Sequence, residues 1–307
     1  MKKICLALLL GLFFFNLSGD AQTSRVETQA ETAKRMARER QEATDDASAL
    51  QGKIRDASAQ KKIDPMVFEK SVKPLYRKPT REELKAIAPS VEDSEKYAEF
   101  LRHSNTGLIK LAVDTGCAEN TDIIVAKPEC LKYTMPGAGT AYSFRTESYR
   151  LQRLADIVYT NNNLQSAGVL QQGILVSIGD VPLEKVDLQT AGLSFAVNFQ
   201  SESDPDKVNE IEEKLNHGIV RDNFQYRLAL PAKENATYVL RSMAYDGVSP
   251  QTAQGVPYNE LDFDKRQDIL VAFRIVRRDS DSITILWKEL WRKNPPKLGR
   301  PNSQKKK

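Results

Sequence analysis

Apolar and polar positions alternate with a period of two from Asp268 to Trp291, the stretch DILVAFRIVRRDSDSITILWKELW. Ile269, Val271, Phe273 and Ile275 form one row and Ile283, Ile285 and Trp287 a second, which predicts two strands folded back on each other with both rows on one buried face. Asp279, Ser280 and Asp281 supply the polar turn. A turn of odd length sets Phe273 opposite Trp287 and Ile275 opposite Ile285, whereas an even one sets Phe273 against Lys288. A one-residue slip moves a strand's whole apolar set to the other face, so the odd register is expected. Burying side chains of this size contributes about 1.5–3 kcal/mol each, which makes this hairpin the expected heart of a sheet.

The rest of the chain falls into segments of distinct grammar. Residues 22–62 are charged and Ala-rich, with a thin stripe of Val26, Ala30, Ala33 and Ala37 that resumes at Ala47, Leu50, Ile54 and Ala57. Such a stripe predicts a solvated helix or a disordered segment, since alanine buries too little area to hold a coiled coil. Residues 63–106 predict short helices. Thr80 and Glu83 have capping-box spacing ahead of Leu84 and Ile87, and a second start at Ser90 or Ser94 presents Tyr97, Phe100 and Leu101.

Residues 107–291 read as a β-rich α+β domain. Strand-like runs are GLIKLAVD, IIVA, TAYSFRTESYR, LADIVYT, GILVSIGD, LSFAVNF, FQYRLAL and TYVLRSMAY. One helix interrupts them, opened by Asp204-Pro205, faced by Val208, Ile211 and Leu215 and closed by Gly218. Regular βαβ alternation is missing from the pattern, so the expected architecture is α+β, a predominantly antiparallel sheet or sandwich with short helices.

Export changes the picture at both ends. Lys2 and Lys3 precede an apolar run from Ile4 to Leu17, and Gly19-Asp20-Ala21 offers small residues at a cleavage site. Residues 1–21 are therefore expected to be a signal peptide cleaved near Ala21, giving a secreted or periplasmic product without a transmembrane segment after its removal. In an oxidising compartment Cys117 and Cys130 are expected to form a disulfide, worth about 3 kcal/mol from loop-closure entropy. From Arg292 to Lys307 there are seven basic and no acidic residues, while residues 1–21 carry a net +1; of the total +4, the body between is left with −4. Residues 292–307 read as a basic disordered tail, a solubilising end or a weak contact for an envelope component or polyanion.

Candidate chemistry is sparse. His103 and His217, the chain's two histidines, each fall at the end of an expected helix, and neither a Gly-x-Ser-x-Gly elbow nor a phosphate-binding Gly-Lys-Ser/Thr ending occurs. Two thiols and two separated histidines call for no metal, and no cofactor is implied. Pro136-Gly137-Ala138-Gly139-Thr140 reads as a glycine hairpin or a flexible rim. Just beyond it, Arg145, Tyr149 and Arg150 interleave basic and aromatic side chains with Tyr142 and Phe144 as a ligand-binding surface does; Tyr142 and Phe144 share one, core-like face of the strand, and Arg145 points the other way.

Leu111-Ala112-Val113-Asp114-Thr115-Gly116 resembles the active-site loop of the aspartic proteases, and Ile178-Gly179-Asp180 is faintly like their second hydrophobic-Gly element. The resemblance covers six residues. It implies a dimer in which two copies of Asp114 share one proton. Two function classes follow: an exported, non-catalytic binding or scaffold protein of the cell envelope or extracellular space, and alternatively a secreted hydrolase of aspartic-protease type using Asp114.

Overall fold

A computed structural model describes residues 66, 68–113, 135–253 and 256–299. The expected signal peptide, the Ala-rich segment 22–62, Asp114, the IIVA run and both Cys117 and Cys130 lie outside the described residues. The expected Cys117–Cys130 disulfide is corrected to this extent: no disulfide bond is present among the described residues.

The hairpin that dominates the sequence pattern also dominates the fold. Strands β1 (Thr106–Ala112), β6 (Gln171–Gly179), β7 (Ile219–Arg221), β8 (Phe224–Arg227), β10 (Thr237–Ala244), β13 (Asp268–Arg278) and β14 (Ser282–Lys293) build one sheet in the order β1-β14-β13-β10-β6-β8-β7, with every pairing antiparallel. Phe273 pairs with Trp287 and Ile275 with Ile285, the expected register. Its tip is less regular than expected. A bulge at Val276 shifts the pairing to Arg277 with Thr284 and Arg278 with Ile283, and the turn is closed by the Asp279 N–H on the Ser282 carbonyl at 2.9 Å.

A second antiparallel sheet consists of β2 (Ala141–Ser143), β3 (Ser148–Tyr149), β4 (Ile157–Thr160), β5 (Asn163–Ser166) and β9 (Ala229–Pro231), ordered β3-β2-β4-β5-β9. β11 (Pro250–Ala253) and β12 (Val256–Asn259) form a separate two-stranded ribbon. The two larger sheets share an apolar interior to which β13 and β14 contribute Ile269, Val271, Phe273, Ile275, Ile283, Ile285 and Trp287, and the smaller sheet Tyr142, Phe144, Ile157, Tyr159 and Leu164. Phe144 stacks at 6.0 Å from Phe273 and meets Trp287 edge-on at 5.4 Å, geometries favoured by the ring quadrupoles. Gly107, opposite Trp287 in the β1–β14 ladder, lets that indole lie flat on the strand, since a Cβ there would come within 2.5 Å of Nε1.

The large sheet is covered on its other face too. Leu270, Ala272, Val239, Val176 and Leu286 meet a helical layer through Tyr97, Phe100, Phe195, Val208 and Ile211. This double burial explains why every residue of β10 is buried and why its sequence does not alternate cleanly. α1 (Arg81–Ala86) carries the expected capping box between Thr80 and Glu83, and α2 (Val91–Lys96) starts from Ser90. α4 (Pro205–His217) keeps its expected Asp204 cap and ends at Gly218.

Three strand expectations need correction. LSFAVNF is not a strand: Ser194–Asn198 is α3, because Ala196 is buried while Phe195 and Val197 pack as partly buried neighbours of the helical layer. TAYSFRTESYR bends into the β2–β3 hairpin, with Tyr142 opposite Tyr149 and Ser143 opposite Ser148. FQYRLAL divides between β8 and β9, which belong to different sheets. The C-terminal segment also holds to the body further than its composition suggests: β14 runs to Lys293, the backbones at Lys297 and Asp246 form an isolated parallel β-bridge, and the Gly299 N–H donates to the Ser203 carbonyl.

Candidate functional site

The β2–β3 hairpin turns through Phe144–Glu147, with Glu147 in the left-handed region at φ 50°. Phe144 enters the apolar interior, and Arg145 leaves on the other side into a buried polar cluster. Its Nε donates to Asp156 Oδ1 at 2.7 Å, its Nη1 to Asp264 Oδ2 at 2.6 Å and its Nη2 to Gln171 Oε1 at 2.9 Å; the side chains of Arg145, Asp156 and Asp264 are wholly buried. Asp156 further accepts from the Arg145 N–H, Ser143 and Ser242. Arg266 donates to Asp264 Oδ2 at 2.8 Å and to the carbonyls of Tyr245, Val169 and Leu170. Burial works against the Arg145 charge, but Asp156 and Asp264 overcome it and hold the guanidinium above its ordinary value.

Tyr149 is spent on structure. Its hydroxyl donates to the Lys110 carbonyl at 2.8 Å and accepts from the Lys110 N–H at 3.3 Å, on β1, the outer strand of the large sheet among the described residues. Burial raises its phenol well above the ordinary tyrosine value, with the bond to Lys110 opposing.

Arg150 is different. It is 6% exposed, and its guanidinium donates to the carbonyls of Tyr76, at 3.4 Å, and Phe263. Among the described residues it forms no ion pair. Burial pulls it below the ordinary arginine value; Asp264 opposes that pull and Arg145 adds to it. The two carbonyls come from segments held together by aromatic contact, Tyr76 stacking on Phe263 at 4.3 Å. The Arg150 carbonyl in turn rests on Gly137, whose φ of 65° and lack of a side chain permit the contact; a Cβ would lie 2.3 Å from that oxygen. Pro136–Gly139 is therefore a buried left-handed turn that seats Arg150, rather than the hairpin or rim expected.

Arg145 and Arg150 line a cavity of about 500 Å³ together with Thr146, Phe263, Asp264 and Arg292. Lys78, Glu147, Asp262 and Lys265, all exposed, ring its mouth. Arg292 is paired to Glu289 at 2.5 Å and donates to the Arg145 carbonyl at 3.1 Å. Two buried polar atoms of the lining, Thr146 Oγ1 and Asp264 Oδ1, have no hydrogen-bond partner among the described residues. A neighbouring cavity of about 370 Å³ shares Lys78 and the Thr146–Ser148 turn and is otherwise lined by Leu84, Ile87, Tyr142 and Tyr149. The more open groove of about 690 Å³ beside α4, between Phe199, Ile211 and His217, shows no such unpartnered buried atom.

Of the residues singled out in the sequence, Arg145 and Arg150 thus meet at one cavity, while Tyr149 lines its neighbour. Lys78, Asp264 and Lys265 carried no sequence signal, because they arrive from elements far from Arg145 in the chain, and Thr146, its neighbour, has no feature that sets it apart in the sequence. Asp180 lies at an exposed position, ion-paired to Arg274 at 2.6 Å, and His217 closes α4 with its Nδ1 2.8 Å from the Glu213 carbonyl. Among the described residues no cluster of His, Cys, Asp and Glu could hold a metal ion, and no helix is long and apolar enough to cross a membrane. Comparison with models of known families, with curated proteins and with solved structures finds no match.

Proposed function

We propose that this is an exported, non-catalytic binding protein of the cell envelope or extracellular space, and that the cavity beside the β2–β3 hairpin is its ligand site. The observation that carries the reading is a pair of buried polar atoms on residues of the cavity lining, Thr146 Oγ1 and Asp264 Oδ1, which lack partners among the described residues while neighbouring side chains are tightly bonded. Buried polar groups are satisfied in the great majority of cases, so two together in one concave wall support a site completed by a bound molecule. The surrounding arginine network keeps the wall rigid, which lowers the ordering cost of binding. Export is supported by the N-terminal Lys2–Ala21 pattern.

Two-dimensional NMR of the full chain against a panel of small polar and anionic molecules tests the site. A binder is expected to shift the Thr146 and Asp264 resonances saturably, and Thr146→Val to weaken it. Shifts confined to other surfaces would overturn the assignment of the cavity, and recovery of the expressed chain with residues 1–21 intact in the cytosol would overturn export.

A further inference from the structure

We propose that this cavity takes an oxyanion, a carboxylate, sulfate or phosphate group, seated on the Arg150 guanidinium; the inference rests on the cavity being the ligand site. The argument is one of charge. Around the cavity four buried or half-buried arginines, Arg145, Arg150, Arg266 and Arg292, face three carboxylates, Asp156, Asp264 and Glu289. Arg145 is shared between Asp156 and Asp264, Arg266 pairs with Asp264 and Arg292 with Glu289, so among the described residues the surplus positive charge falls on Arg150. Arginine cannot shed its proton at ordinary pH, so the site cannot relieve the surplus by neutralising itself.

The carbonyls of Tyr76 and Phe263 satisfy two of the guanidinium's N–H groups but supply no opposing unit charge. A buried cation of this kind is costly without a counter-ion, and a planar guanidinium offers its remaining donors in a fork that fits an oxyanion. The lining adds a hydroxyl donor in Thr146 Oγ1. At the mouth Lys78 and Lys265 are balanced by Glu147 and Asp262, so the attraction is local to Arg150 rather than a general basic field. Asp264 belongs to the same lining, and its buried Oδ1 lacks a donor among the described residues. An oxyanion that also carries a hydroxyl or a protonated oxygen answers both groups.

Isothermal titration of the full chain with inorganic phosphate, sulfate and acetate at constant ionic strength, with chloride as the control, tests the inference. Saturable binding of at least one oxyanion is expected. Arg150→Gln is expected to weaken it about tenfold or more, and Arg150→Lys to recover part of the loss, in line with the worth of a charge-assisted hydrogen bond. Lys265→Ala, on the exposed rim, is expected to weaken binding by a factor of about two to five, and it serves as the second variant should Arg150→Gln not fold. Vesicles of phosphatidylglycerol against phosphatidylcholine separate a lipid headgroup from a free anion as the source: Arg150-dependent binding to the first alone assigns the headgroup.

No saturable oxyanion or vesicle binding, or binding indifferent to both Arg150 and Lys265 substitutions, overturns the oxyanion. If neutral molecules nonetheless shift Thr146 and Asp264, the ligand site stands without it; if nothing shifts them, both readings fail.

Discussion

Two buried arginines on opposite faces of the large sheet have been given opposite surroundings. Arg241 projects from β10 toward the helical layer, where Nε and Nη2 meet Asp268 at 3.0 and 2.7 Å and Nη1 donates to the carbonyls of Ala196 and Phe199. The rings of Trp291 and Phe199 lie 5.1 and 5.9 Å from its guanidinium carbon. Its charge is matched, its donors are used, and it ties α3 to the sheet. Arg150 is about as buried, 6% against 4% exposed, yet meets two carbonyls and a cavity. Equal burial with unequal counter-charge separates an arginine answered by a carboxylate from one that, among the described residues, is answered by carbonyls alone.

The same substitution at both positions breaks the comparison most directly. Arg241→Met strands Asp268 as an uncompensated buried charge and is expected to cost about 3–5 kcal/mol in denaturant unfolding. A second test raises the pH around the matched site. Burial, followed by the charge of Asp268, lifts the Tyr245 hydroxyl to about 12, above its ordinary value of 10.0. The folded state thus holds this proton more tightly than the unfolded chain. Its contribution is complete below pH 10 and declines as pH rises toward 12. Tyrosinate absorbance should lag behind a free tyrosine, and Tyr245→Phe should flatten the alkaline loss of stability.

The smallest change is expected at the unmatched site. Arg150→Met leaves two carbonyls without donors but removes the surplus charge, so its cost should not exceed about 1–2 kcal/mol by the same unfolding measurement. A loss as large as that of Arg241→Met would mean that Arg150 is a structural clamp, and the contrast would dissolve.

Much of the fold was legible because period-two patterning and caps are local signals. The register of β13 with β14 follows from where Phe273, Ile275, Ile285 and Trp287 stand, and the bounds of α4 from Asp204, Pro205 and Gly218. LSFAVNF failed because a run of seven residues is too short to distinguish alternation from a turn of helix, and tertiary contacts decided: Arg241 satisfies the carbonyls of Ala196 and Phe199. The site was half legible. Arg145 and Arg150 stood out beside their aromatic neighbours, with Arg145 turned away from Tyr142 and Phe144. Whether each had a counter-ion depended on Asp156, Asp264, Arg266 and Glu289, up to 139 positions from Arg150, and no local pattern carries that information.

The Tyr149 hydroxyl, bonded to both the N–H and the carbonyl of Lys110, has a consequence for how copies of this chain meet. An unoccupied strand margin is a template on which a neighbour can accrete. Here one rung is already filled by a side chain from the other layer, so Tyr149 guards against intermolecular sheet growth at β1, and removing its hydroxyl would reopen that rung to a passing strand.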